Sequence, residues 1–124
     1  MIKFITTLLS FILHIPVYAQ QSSTTQKPFI ATSETLASEI GKTYQRAKNC
    51  GHDLSNLSNL NTSNLFRKYL NENEIKIVMQ QFERSVTKEN GKACNLEEIN
   101  VQTLISKIGN YMRIAVPHIR PQTK

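Results

Sequence analysis

Cys50-Gly51-His52-Asp53 is the run in this 124-residue chain that sets a thiol, an imidazole and a carboxylate side by side. A thiolate next to a base is the minimum for nucleophilic catalysis, yet a nucleophile and its base are ordinarily brought together from distant parts of a chain. The second cysteine is Cys94, 44 positions on, far from the Cys-x-x-Cys spacing of thiol–disulfide exchange. In an oxidising compartment two cysteines pair, and an oxidised sulfur attacks nothing. The tetrad then reads as a half-cystine followed by a turn that His52 or Asp53 caps. Free thiols and an intermolecular bridge are the competing readings of Cys50 and Cys94.

Paired carboxylates occur at Glu72 with Glu74 and at Glu97 with Glu98. General-acid work requires burial that raises a pKa. Both pairs instead open a helix, where acidic side chains complement the backbone dipole. His52 and His118, the imidazoles beyond residue 19, have no neighbours at zinc-ligand spacing, and the glycines at 41, 51, 91 and 109 are isolated, so no phosphate loop forms. The expectation is a protein with no catalytic, cofactor-binding or metal-ligating residues, hence not an enzyme.

Export is written at the start of the chain. Lys3 is followed by an apolar stretch from Phe4 to Val17, then by Val17-Tyr18-Ala19, a small-x-small cleavage signature. Residues 1–19 read as a signal peptide cut between Ala19 and Gln20, too short and too interrupted for a membrane anchor, with no span left after cleavage. That places the protein in the periplasm, or outside the cell, and favours an internal Cys50–Cys94 disulfide. The envelope of a Gram-negative bacterium is the expected setting, and the Asn/Lys/Ile-rich composition points to an AT-rich genome. The sequons at Asn56 and Asn61 carry glycans only in a eukaryote. Lys and Arg number 15 against nine acids, but no basic run exceeds Arg67-Lys68, which argues against nucleic acid.

The elements that position these residues follow from periodicity. Residues 20–31 are polar up to Pro28 and read as a flexible leader. A helix capped by Thr32 or Ser33 then buries Leu36, Ile40, Tyr44 and Ala47, and Gly51 stops it. Residues 52–64, with Leu54, Leu57 and Leu60 at period three, form an irregular or short helical connector whose leucines cover the core. A short helix spans Leu65 to Leu70. Asn71 and Glu74 then make a capping box for a helix burying Ile75, Val78, Met79, Phe82 and Val86, with a Glu72–Lys76 pair on its wet face. Asn90-Gly91 marks a turn within residues 87–93. After a second capping pattern at Asn95 to Glu98, an apolar stripe runs through Val101, Leu104, Ile105, Ile108, Met112 and Ala115. Pro117 ends that helix, and residues 118–124 are a loose tail.

The fold expected is all-α: a single-domain bundle over residues 32–117, with three main helices, one short helix and one disulfide. The stretch from Arg67 to Ala93, with its aromatic, capped turn, apolar helix and late Gly-Lys, faintly resembles helical domains of unknown function in exported bacterial proteins. It covers under a third of the mature chain and departs at Ser85-Val86-Thr87-Lys88, so no family follows from it.

These features imply a small exported protein that works by binding another macromolecule in the cell envelope. One version is an immunity or inhibitor protein against an envelope-acting toxin or hydrolase. Another is a cationic binder of anionic envelope polymers. A protein partner is expected, with Tyr44, Tyr69 or Tyr111 as candidate anchors only where they are not buried. The chain is a monomer or a homodimer, the apolar stripe on the short helix being a candidate dimer interface.

Overall fold

The computed structural model describes the backbone of residues 2–121 and the side chains of residues 26–121. The expected signal peptide, residues 1–19, and its expected Ala19–Gln20 junction lie outside the described side chains. The chain is all-α, with no strand among the described residues: α1 (Ile2–Asn49), α2 (Asn59–Arg67), α3 (Glu72–Glu89) and α4 (Val101–Ile114), plus three short 3-10 turns. The three long helices and one short helix match the expected architecture.

α1 and α3 lie side by side and point the same way. Gln26 bonds to Glu74, Gln81 to Glu34, Ser38 to Ser85 and Arg46 to Glu89, so the contacts advance together along both helices. Gly41 sits at the closest approach, where a Cβ would stand 2.6 Å from the Phe82 carbonyl oxygen. Such proximity needs a residue without a side chain. α2 returns the chain antiparallel to α3, Asn59 bonding to Glu83. α4 runs antiparallel to α1 on the other side: Lys107 meets Glu39, Tyr111 meets Ser33 and His118 stacks on Phe29.

The core joins Ile40, Leu36 and Ala37 of α1 to Val78, Phe82 and Met79 of α3, and is closed at one end by Phe29, Phe66, Tyr69 and Tyr111. Burying each large apolar side chain contributes roughly 1.5–3 kcal/mol. α3 follows its sequence closely. Asn71 accepts from the Glu74 backbone N–H at 2.8 Å, and Glu74 accepts from that of Asn71 at 2.9 Å. Gly51 and Gly91 take the left-handed conformation, with φ of 78° and 85°, just past the ends of α1 and α3.

Several local expectations change. Residues 26–31 are not a loose leader but part of α1, because Phe29 continues the buried stripe one turn back from Ser33 and is only 3% exposed. Ser33 is therefore no cap; it donates to the Phe29 carbonyl at 2.9 Å inside the helix. The connector takes the short helical alternative, but α2 begins at Asn59 rather than Leu65, and Leu60 faces solvent while Leu57 packs on the core. Glu72 pairs with Arg67 across the turn instead of with Lys76. Asn95 caps only a 3-10 turn (Leu96–Glu98), and Asn100, accepting from Thr103 N–H at 2.9 Å, starts α4. The tail, too, is held as far as Arg120, whose N–H donates to the Lys68 carbonyl at 2.8 Å.

Candidate functional site

The residues that could have done chemistry are kept apart. Cys50 and Cys94 lie at disulfide distance, with Sγ atoms 2.01 Å apart, and no free cysteine remains. The tetrad therefore offers no thiolate. His52 and Asp53 are exposed beside Tyr44 and Lys48 at the C-terminal end of α1, whereas His118 stacks on Phe29, mid-way along that helix, with ring centroids 3.8 Å apart. Twenty-odd residues of helix, about 30 Å, separate the two imidazoles. The carboxylate pairs serve structure: Glu74 completes the capping box, Glu72 holds Arg67, and Glu98 lies 3.5 Å from Arg46. No group of three metal-ligating side chains occurs among the described residues.

Two clefts remain. The first, about 370 Å³, lies over the disulfide between Arg46, Asn49, Glu89, Lys92, Cys94 and Glu98. Glu89 is its buried member. Its Oε1 accepts from Arg46 Nε at 2.5 Å, and its Oε2 lies 2.6 Å from Lys92 Nζ, a contact of charges off the hydrogen-bonding direction. Lys92 does most to hold the Glu89 carboxyl below its ordinary value of 4.5; burial pushes the other way, and Arg46 helps outweigh it. Two cations and two carboxylates cancel, so this cleft is a clasp between the ends of α1 and α3 rather than a field that draws a charged ligand.

That clasp has a pH signature. The folded carboxyl binds its proton less tightly than the unfolded one, so the unfolded state carries more protons in the acid range. The stabilisation is complete above the ordinary carboxylate value and is lost as pH falls below 4.5 through the folded value. Glu89→Gln should flatten the fall in urea midpoint on acidification below that value; a variant with an unaltered acid slope would remove Glu89 from the clasp.

The second cleft, about 300 Å³ and mainly apolar, is a groove between α1 and α4 lined by Thr32, Thr35, Leu36, Glu39, Lys107, Asn110, Tyr111 and Ile114. Helix periodicity explains it: positions 32, 35, 36 and 39 form one flank of α1, and 107, 110, 111 and 114 the facing flank of antiparallel α4. Thr32 and Thr35 give their hydroxyls to the carbonyls of Pro28 and Ala31, at 2.9 and 3.1 Å, which leaves their methyl groups for the groove. Tyr111 forms the floor. Its hydroxyl pairs with Ser33 at 2.6 Å, and burial pushes its pKa up to about 12 against the opposing effect of the Ser33 bond. Ile114 stands exposed at one rim, and the Glu39–Lys107 pair, 3.4 Å apart, at the other.

The condition set for the aromatic anchors, that they be exposed, is not met. Tyr69 and Tyr111 are buried, and Tyr44 packs half-buried against the core. The groove was invisible to pattern reading because it depends on the α1–α4 register, which no local spacing encodes. No family model, curated protein or solved structure matches the chain.

Proposed function

We propose that this is a small exported, non-enzymatic helical protein that binds a protein partner in the cell envelope. In this reading the α1–α4 groove accepts an apolar side chain of that partner. The observation that supports it is the groove itself: an open, methyl-lined trough with a buried aromatic floor and an ion pair at its rim. An open trough of this size takes one anchor residue of a larger surface rather than enclosing a small molecule, and interfaces draw most of their affinity from such anchors. An inhibitor or immunity protein of an envelope-acting enzyme is one role that uses a rigid site of this kind.

The test is crosslinking of the oxidised protein in its native envelope fraction at low and high salt, beside a Thr35→Arg variant. Thr35 is exposed, so arginine fills the groove without entering the core. One dominant partner retained at high salt, and lost at least tenfold in Thr35→Arg, supports the reading. Diffuse capture that disappears with salt favours binding to anionic envelope polymers instead. Capture indifferent to Thr35→Arg removes the groove from the site.

A further inference from the structure

Asn90-Gly91, the turn that ends α3, carries chemistry of its own. Asn90 sits at φ −63° and ψ 133°, Gly91 at φ 85°, and the Lys92 N–H donates to the Glu89 carbonyl at 3.3 Å. Those values define a type II turn with Asn90 and Gly91 at its centre. Neither the Asn90 carbonyl nor the Gly91 N–H has a hydrogen-bond partner among the described residues. The peptide between them can therefore rotate without breaking a bond of the fold. Both residues are exposed, and nothing lies within 4 Å of where a Gly91 Cβ would stand.

A carboxamide beside such a peptide is an internal electrophile. Once base removes the Gly91 amide proton, that nitrogen attacks Asn90 Cγ. The N–Cγ bond forms, the Cγ–Nδ2 bond breaks, and ammonia leaves behind a five-membered imide. Water then opens the ring on either side. Cleavage of the new N–Cγ bond gives aspartate; cleavage of the bond to the main-chain carbonyl gives isoaspartate, whose backbone runs through the β-carbon. Water is the only co-reactant, and nothing is oxidised or reduced. A Cβ on the following residue crowds the attacking nitrogen, so glycine there favours the reaction. The chain has 11 asparagines, and Asn90 is the one that precedes a glycine. Asn71, Asn95 and Asn100 also hold their carboxamide oxygens on backbone N–H groups as caps.

We propose that Asn90 is a self-modification site, converted by its own backbone to aspartate and isoaspartate in the folded protein. The proposal is independent of the groove and of any partner. Conversion places a carboxylate next to buried Glu89, on a side chain that accepts from Gln45 at 3.4 Å. Isoaspartate also lengthens the chain between the Glu89 clasp and the Cys94 crosslink. The oxidised full chain, held in neutral and mildly alkaline buffer, should gain about 1 Da as the amide becomes an acid. Peptide mapping should place that gain at Asn90 before any other asparagine. The rate should rise about tenfold per pH unit, following the amide anion. Gly91→Ala should slow conversion roughly tenfold, but it is strained at φ 85°. Asn90→Ser, which keeps the glycine, is the companion variant and should abolish the gain. The proposal is overturned by a chain that keeps its mass while a short Asn-Gly peptide converts fully beside it. A first conversion at another asparagine, or conversion confined to urea-unfolded protein, overturns it too.

Discussion

Reducing the Cys50–Cys94 bond should lower the stability of the oxidised protein by about 4 kcal/mol. The bond closes a loop of 45 residues, counting both ends of a 44-position separation, and the chain-entropy relation gives about 4 kcal/mol for a loop of that length. Little packing is at stake: Cys94 is exposed and Cys50 only half-buried, so the effect resides in the unfolded chain. For a domain whose whole stability is of the order of 5–15 kcal/mol, this is a large fraction. The measurement is a urea unfolding curve of the oxidised protein beside a Cys50→Ser/Cys94→Ser variant. A shared midpoint would show that the crosslink does not constrain the unfolded state.

Gly41→Ala should cost about 2 kcal/mol, against the direction that helix propensity predicts. In an open helix the change would gain about 1 kcal/mol. Here the added methyl would stand 2.6 Å from the Phe82 carbonyl oxygen and 3.2 Å from its Cα, both backbone atoms. No rotamer change relieves that overlap. α1 and α3 must move apart along an interface that includes Ile40 and Val78, and overpacking of this kind costs about 1–3 kcal/mol or more. The thermal midpoint should fall by several degrees. An increase would mean that the two helices separate without loss.

Much of the fold is legible in the residue pattern because its signals are local. Asn71 and Glu74 name their own capping box, Ile75 to Phe82 mark one helix face, and two left-handed glycines stop two helices. What escaped depends on partners far along the chain. Ser33 looks like a cap until Tyr111 arrives to share its hydroxyl, and Phe29 looks isolated until Tyr69 and His118 surround it. On α4, Leu104 and Tyr111 enter the core while Val101, Ile105 and Met112 stay outside it. Both sets satisfy helical periodicity and lie on adjoining sectors, so spacing alone merges them into one stripe. Only the number of helices available to cover α4 separates core from surface, and the pattern does not contain that number. For the same reason the pattern does not say whether Tyr44, Tyr69 and Tyr111 are internal, and the groove, made by register, has no signature in sequence.

The side-by-side, same-direction arrangement of α1 and α3 has a kinetic consequence. Residues that meet across it are separated by 40 to 48 positions, as between Asn49 and Glu89 or Gln26 and Glu74. No neighbouring helical hairpin can assemble this interface piecemeal; the chain must run out through α2 and back before the two faces touch. Closing so long a loop is an entropic toll met before any reward, and a high mean separation of contacts slows folding. This molecule should fold more slowly than a helical bundle of its size built from consecutive hairpins. A chain emerging N-terminus first would carry the apolar face of α1 uncovered until Phe82 and the rest of α3 have followed it out.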